Sequence, residues 1–210
     1  HIMLRFAVLV SGGGTNLEAI FQKMEQGQIT GGQICVVISN HANAYALVRA
    51  KRRNVDAVCI SPKMYQSRDE FHEALLNELK SRNIDYVILA GYLLQISQSL
   101  VEYFPNRIIN IHPSLIPSFC GKGFYGIHVH EKVLERGVKI TGATVHFVDC
   151  GMDTGPIIMQ KAAVVQEDDT PETLQKRVME ECEWVILPDA IKKLCQDKIR
   201  IVDHHVIVEE

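Results

Sequence analysis

The chain has 210 residues, of which 47% are hydrophobic and 22% are charged, and its formal net charge is −3. This composition is typical of a soluble globular protein with one large domain or two closely packed halves. No block of Lys and Arg indicates a nucleic-acid or anionic-membrane partner, and no apolar run reaches the length of a bilayer span. We therefore expect neither partner, and we interpret residues 1–2, ahead of Met3, as a cloning remnant.

The six cysteines form no Cys-x-x-Cys pair and show no regular spacing. That usage fits a reducing compartment, so we expect the protein in the cytoplasm. Only two histidine pairs, His128 with His130 and His204 with His205, are weak candidates for metal ligands. We predict that no metal is bound.

The first hundred residues alternate apolar, strand-like runs with helical patterns. Strands are predicted at residues 4–10, 34–38, 55–60 and 86–90, helices near residues 17–24, 45–53 and 69–82, and a fifth, central strand at 108–111. This alternation predicts an α/β fold with a mostly parallel, twisted sheet flanked by helices and a Rossmann-like N-terminal half.

The pattern changes after Pro113. Residues 118–126 contain three glycines and show little periodicity. A short helix at about 130–137, β-rich runs at 143–148 and 157–165, and a long helix beginning beside Thr170 and Pro171 are predicted to follow. The second half is therefore expected to be mixed in structure.

A glycine triplet at residues 12–14 joins the first strand to the first helix and is followed by Thr15 and Asn16. Glycines let an anion approach the backbone closely, and the N–H groups of a helix N-terminus bind phosphate. The alternative is a tight turn that needs positive φ. The dinucleotide fingerprint is incomplete because Leu17 occupies its third glycine position. A monophosphate on a small substrate is the better hypothesis.

Polar side chains end two other apolar runs. Asn110 and His112 alternate across Ile111, so on an extended chain they face the same side. An amide can donate to a developing oxyanion, and a histidine can move a proton near neutral pH. If the carboxylate of Asp153 reaches His112, it favours the charged imidazole and fixes its orientation. The alternatives are a buried, satisfied histidine and a turn-capping aspartate.

The strings SGGGTN, LAGY, NIHPSLIP and HFVDCGMDTGPII resemble those of the phosphoribosylglycinamide formyltransferase family, the folate-dependent enzymes of purine synthesis. The resemblance runs from Phe6 to about Pro188. It implies one formyltransferase domain over residues 3–208, with a ribonucleotide-phosphate half (3–105) and a catalytic and folate half (106–208). It also implies transfer of the formyl group of 10-formyltetrahydrofolate, as cosubstrate, to the amine of glycinamide ribonucleotide by direct amine attack.

The resemblance further implies roles for single residues. Asn110 would hold the formyl oxygen as it becomes an oxyanion, His112 would stabilise it and shuttle protons, and Asp153 would keep the histidine charged. The implied substrate contacts are Gly14, Thr15 and Asn16 for the phosphate and Glu183 for the ribose. The implied folate contacts are Arg68, Leu93, Leu94, Gln95, Ile96 and Val148.

Three positions depart from the pattern common in that family. Leu94 stands where many relatives carry Arg, Cys120 stands where Pro is common, and Trp184 follows Glu183 where His is frequent. Residues 119–126 are also longer than the turn of many members, and we interpret them as a flexible lid near the substrates.

Other functions fit parts of the same pattern. Formyltetrahydrofolate hydrolase resembles this core and uses the same trio with water as acceptor. Methionyl-tRNA formyltransferase shares the Pro-Ser-Leu-x-Pro string but needs a basic surface and an extra C-terminal domain. A non-catalytic nucleotide-binding module with a structural histidine is the remaining alternative. The oligomeric state, monomer or homodimer, stays open.

Overall fold

The computed structural model describes residues 2–210. Nine strands and seven α-helices occur there, in the order β1 (Leu4–Leu9), α1 (Thr15–Glu25), β2 (Gly32–Ser39), α2 (Tyr45–Arg52), β3 (Asp56–Cys59), α3 (Arg68–Ser81), β4 (Tyr86–Leu89), α4 (Gln98–Tyr103), β5 (Ile108–His112), α5 (Ile127–Arg136), β6 (Ile140–Phe147), β7 (Ile157–Val164), α6 (Pro171–Val178), α7 (Trp184–Cys195), β8 (Ile199–Val202) and β9 (His205–Val208). A 3-10 helix (Pro62–Met64) precedes α3, and a π-helical turn (Met179–Glu183) joins α6 to α7.

The protein has an α/β fold whose main sheet has seven strands in the order β3-β2-β1-β4-β5-β6-β7. The chain divides into two compact units, and the division falls inside β5, between Ile109 and Asn110. In the first unit β1 pairs in parallel with both β2 and β4, and β2 pairs in parallel with β3. The parallel sheet predicted from the alternating pattern is confirmed.

Strand β1 shows why the first unit forms a parallel sheet. Residues 6–10 are all apolar, and each is at most 1% exposed. A strand that is apolar on both faces must be covered on both faces, and crossover helices between parallel strands provide that cover.

The second unit contains the antiparallel part of the sheet. Strands β6 and β7 pair antiparallel, with Val145 opposite Met159 and an irregularity in register between Val145 and His146. The mixed character expected for this half is confirmed. The single long helix predicted here is instead two α-helices joined by the π-helical turn. The hairpin of β8 and β9 follows α7 as a separate two-stranded sheet.

Several predicted boundaries were wrong by a few residues. Helix α5 begins at Ile127 rather than near His130, directly after Gly126, whose φ of 55° is not helical. Helix α3 begins at Arg68, one residue earlier than predicted, because the Ser67 hydroxyl caps it by accepting from Glu70 N–H. The short helix α4 and the β8–β9 hairpin were missed. Among residues 2–210, no helix is both long enough and apolar enough to cross a bilayer.

Candidate active site

The end of β5 carries an amide and an imidazole two residues apart. Ile111, between them, is 6% exposed and belongs to the core, while His112 is 4% exposed and Asn110 is half-buried. Asn110 contacts His146, and both His146 and His112 lie near Asp153. The two side chains thus reach one polar cluster, as their alternation on the strand predicted.

Asp153 enters this cluster from the turn that follows β6. One carboxylate oxygen, Oδ2, accepts a hydrogen bond from Gly121 N–H at 2.9 Å and lies 3.9 Å from His112 Nδ1. The other, Oδ1, lies 3.7 Å from His146 Nε2. The residue has a φ of 56°, which Asp tolerates better than most side chains. The structure therefore brings Asn110, His112 and Asp153 together.

Gly155 lets the turn lie close enough to β6 to place Asp153. A Cβ at this position would come within 1.7 Å of the Phe147 carbonyl oxygen, so no other residue fits without a backbone shift. Phe147 N–H donates to Pro156 O at 2.9 Å on the same stretch. In the Asp-Thr-Gly-Pro string, Gly155 is therefore required for close packing against β6, while Asp153 supplies the carboxylate.

The contacts of His112 determine which ring nitrogen is available for chemistry. Nε2 lies 2.9 Å from the Phe119 carbonyl oxygen. Because a carbonyl only accepts, Nε2 carries a hydrogen and donates it. Nδ1 is therefore the nitrogen that faces Asp153. At 3.9 Å the gap between Nδ1 and the carboxylate exceeds a direct hydrogen bond.

His146 is a fourth member of this cluster that the sequence analysis missed. Its Nδ1 donates to the Phe147 carbonyl oxygen at 2.8 Å, and its Nε2 lies 3.2 Å from Asn110 Nδ2. Burial lowers the pKa of His146, so the ring is neutral near pH 7 and Nε2 carries a lone pair. Asn110 Nδ2 donates to that lone pair. The available signal was a titratable residue in the buried run of β6, whose other polar members are the threonines Thr141 and Thr144.

The backbone of residues 119–121 contacts two of the three predicted catalytic side chains. Phe119 O accepts from His112, and Gly121 N–H donates to Asp153. Between them, the thiol of Cys120 is half-buried, and burial followed by the nearby charge of Asp153 raises its pKa. The thiol is therefore protonated near neutral pH. The start of the predicted lid segment thus contacts the polar cluster through its backbone.

The glycine loop lies in the first unit at the start of α1. Gly14, with a φ of 77°, is the N-terminal cap, and its carbonyl accepts the helix hydrogen bond from Glu18 N–H at 2.9 Å. Thr15 and Asn16 occupy the first turn of α1, at the helix end whose backbone N–H groups favour an anion.

Three of the predicted folate contacts line one cavity of the first unit. The cavity has a volume of about 640 Å³ and is lined by Arg68, Asp69, His72, Glu73, Leu76, Gln95, Ile96, Ser97, Gln98 and Ser99. Leu93 and Leu94 do not line this cavity. Leu93 instead contacts Ser11, which directly precedes the glycine loop: the Leu93 N–H donates to Ser11 Oγ at 2.8 Å.

The two remaining predicted binding residues belong to the second unit. Val148 follows directly after β6 and is half-buried. Glu183 ends the π-helical turn and is 7% exposed. A carboxylate buried to this degree must be compensated by polar partners. Its place on a π-helical turn is notable because such turns often occur at functional sites.

Residues 2–210 contain no group of three or more His, Cys, Asp or Glu side chains arranged to hold a metal ion. His128 contacts Glu131 through Nδ1 at 3.2 Å, whereas its neighbour His130 is 1% exposed. His204 and His205 lie in and after the turn between β8 and β9.

The sequence and the fold of this chain are similar to those of one family of known proteins. Residues 4–191 match the family model described as formyl transferase. The chain is 36% identical to phosphoribosylglycinamide formyltransferase of Bacillus subtilis (strain 168) over 193 residues. This aligned region covers 91% of this chain and 95% of that protein. Identity to the chloroplastic enzyme of that name from Arabidopsis thaliana is 37%, over 93% of this chain and 67% of the other. The crystal structure of glycinamide ribonucleotide transformylase 1 from Symbiobacterium toebii superposes with a TM-score of 0.92 at 44% identity, covering 99% and 95% of the two chains.

Proposed function

Because this chain belongs to the formyl transferase family, we propose that it transfers the formyl group of 10-formyltetrahydrofolate to the amine of glycinamide ribonucleotide, a step of purine synthesis. The observation that carries the proposal is the convergence of Asn110, His112 and Asp153 at the end of β5. An amide, an imidazole and a carboxylate within reach of one another suit acyl transfer to an amine.

Asn110 stabilises the oxyanion of the tetrahedral intermediate. Its Nδ2 has two N–H groups, of which one donates to His146 Nε2. The second N–H is left to donate to the formyl oxygen. This interaction strengthens as charge develops on that oxygen, so it lowers the barrier more than it stabilises the bound substrate.

His112 and Asp153 move the protons. The amine attacks the formyl carbon and forms a C–N bond, while the carbonyl electron pair moves to the oxygen. In this mechanism His112 acts on that oxygen as a hydrogen-bond donor through Nδ1, the ring nitrogen that lies 3.9 Å from Asp153 Oδ2. The proton lost by the attacking nitrogen passes to Asp153 and then to the folate nitrogen. The electron pair on the oxyanion re-forms the C=O bond, and the bond between carbon and the folate nitrogen breaks with its electron pair staying on that nitrogen, so tetrahydrofolate leaves. The enzyme forms no covalent bond with the formyl group.

The other residues bind the two small molecules. Gly14, Thr15 and Asn16 hold the ribonucleotide phosphate at the N-terminus of α1, and Glu183 accepts hydrogen bonds from the ribose hydroxyls. Formyl-folate binds, as cosubstrate, to Arg68, Leu93, Leu94, Gln95, Ile96 and Val148. Because Leu94 carries no charge, Arg68 supplies the positive charge that pairs with the folate carboxylate.

The remaining parts of the proposal concern the chain as a whole. Residues 3–208 form one formyltransferase domain that acts as a monomer or homodimer, with small molecules as its only substrates and without a metal. The six cysteines are all unpaired, which supports the reducing environment of the cytoplasm.

An acceptor-dependence assay tests this function. Purified protein is mixed with 10-formyltetrahydrofolate, with and without glycinamide ribonucleotide, and folate release is measured together with formylated ribonucleotide. The proposal predicts release only when the ribonucleotide is present, with one formylated product per folate released. Release at the same rate without ribonucleotide would identify a hydrolase, and no turnover in either mixture would identify a non-catalytic binding module.

A further inference from the structure

Helix α2 contacts the glycine loop through two hydrogen bonds to consecutive loop carbonyls. The Gly12 carbonyl oxygen accepts from the backbone N–H of Ala46 at 3.2 Å. The Gly13 carbonyl oxygen accepts from Nε of the Arg49 side chain at 2.8 Å. One of the two supports therefore depends on a side chain and can be removed by substitution.

These two contacts determine which way the loop N–H groups point. In a planar trans peptide, the C=O and the following N–H point in opposite directions. Because the carbonyls of Gly12 and Gly13 face α2, the N–H groups of Gly13 and Gly14 face away from it. Successive backbone N–H groups on one side of a loop form an anion-binding concavity, which the first turn of α1 extends.

Arg49 is itself held in place by its surroundings. Its Nη1 pairs with Glu18 Oε1 at 3.1 Å, and its guanidinium lies 4.7 Å from the centroid of the Tyr45 ring. Hydrogen bonds from Arg53, and further ones from Gln22 and Arg49, lower the pKa of Glu18 to about 2. The carboxylate is therefore charged at neutral pH, and a planar guanidinium already held by Glu18 and Tyr45 loses little freedom when it supports the loop.

We propose that Arg49 is a positioning residue for the ribonucleotide phosphate, which it does not contact: its Nε–H holds the Gly13 carbonyl so that the following N–H groups face the anion. This inference rests on the proposed function, because it assigns the loop to that phosphate. Losing the Arg49 contact lets the Gly13–Gly14 peptide rotate, so binding of the phosphate weakens while the chemical step is unaffected.

Arg53, which directly follows α2 and lies four residues after Arg49, provides a matched control. It also pairs with Glu18, through two nitrogens, and its guanidinium lies over the Phe21 ring at 4.7 Å. Its hydrogen bonds go to Glu18 and Glu25, and it makes none to the loop. Arg53→Met therefore removes the same charge together with ion pairs to Glu18 and Glu25, but it leaves the Gly13 carbonyl supported.

The test compares steady-state kinetics and inorganic phosphate binding in Arg49→Met, Arg49→Lys and Arg53→Met. Phosphate binding is followed from the backbone amide NMR signals of residues 13–16. For Arg49→Met we expect the KM for ribonucleotide and the Kd for phosphate to rise about tenfold or more, in the range for a lost charge-assisted hydrogen bond. The kcat and the KM for formyl-folate should stay within about twofold. Arg49→Lys, which keeps a cationic donor, should recover most of the loss.

The outcomes separate this inference from the function on which it rests. A wild-type protein that shows no ribonucleotide dependence would contradict the proposed function. A ribonucleotide-dependent wild type combined with unchanged ribonucleotide KM and phosphate Kd in Arg49→Met would contradict the role of Arg49 alone. An equal loss in Arg53→Met would also overturn it, because the effect would then come from the ion pairs of Glu18 rather than from support of the Gly13 carbonyl.

Discussion

Asn110 Nδ2 lies 3.2 Å from His146 Nε2, and this contact sets the direction of the amide in the candidate active site. His146 Nδ1 donates to the Phe147 carbonyl oxygen, so Nε2 of the neutral ring can only accept. An amide turned the other way would place its oxygen against that lone pair. The N–H groups of Asn110, rather than its oxygen, are therefore directed into the cluster, as an oxyanion donor requires.

Replacing His146 should reduce the rate through Asn110. His146→Phe keeps the ring volume but removes the acceptor, so the amide of Asn110 is no longer held in one orientation. Loss of an oxyanion donor costs about 10²–10³ in kcat, and loss of its orientation alone should cost about tenfold to a hundredfold. Both KM values should change little. Steady-state kinetics of formyl transfer measure these values.

A double-mutant cycle tests whether the effect passes through Asn110. If His146 acts only by orienting the amide, then His146→Phe combined with Asn110→Ala should be no slower than Asn110→Ala alone. Additive losses in kcat would show that His146 has a separate function and would contradict this account of the contact.

Gly14 should be the least replaceable glycine of its loop. A Cβ on Gly14 would lie 2.7 Å from the Ala46 Cβ, and its φ of 77° disfavours any side chain. A residue with a Cβ pays about 1–2 kcal/mol in this conformation before any clash is counted. We expect Gly14→Ala to lower the free energy of unfolding by about 2–4 kcal/mol, measured by urea denaturation.

Gly12→Ala is the control for this substitution. Nothing lies within 4 Å of a Cβ built at Gly12, and its φ is outside the left-handed region. Its free energy of unfolding should stay within about 1 kcal/mol of wild type, since a surface substitution without strain has a small effect. Equal destabilisation by the two substitutions would mean that contact with α2 does not restrict the loop.

His130 should make the protein less stable in mild acid. Burial, with a smaller effect of nearby His112, lowers the pKa of His130 from 6.5 to about 4. Between these values the unfolded chain binds a proton that the folded chain does not, so the free energy of unfolding falls as pH decreases from about 7 to 4. The full effect is on the order of 3 kcal/mol. We expect His130→Phe to show a shallower loss of stability over this range.

His128→Gln is the control for the pH measurement. His128 lies on the same helix, but 48% of its side chain is exposed. Its replacement removes no buried imidazole, so the slope of unfolding free energy against pH should stay steeper in His128→Gln than in His130→Phe. A His130→Phe protein with the wild-type slope would show that His130 takes up its proton in the folded state without cost.

The fold was largely predictable because its signals are local. Strands β1 and β2 are apolar runs. The glycine loop and α1 separate β1 from β2, and α2 separates β2 from β3. Helix α4 was not predicted because it has only six residues, too few to show a helical period of apolar positions. The π-helical turn at Glu183 has no sequence signal of its own, so the helix around it was predicted as continuous.

The candidate active site was predictable only in part because its geometry depends on long-range contacts. Asn110 and His112 share a face of β5 by local alternation, and this was predicted correctly. The place of His146 depends on an irregular register between β6 and β7 and on contact with a residue 36 positions away. The contact of Phe119 with His112 depends on loop geometry for which composition gives no signal.

The most direct test of the account is the rate of formyl transfer in a single turnover by Asp153→Asn, with both substrates saturating. Asparagine keeps an acceptor for Gly121 N–H but has no carboxylate to take a proton. The account predicts a rate at least about 100-fold below wild type, with the Kd of each substrate within a few-fold of the wild-type value. A rate equal to wild type would show that no carboxylate is needed to move the proton, and would contradict the proposed mechanism.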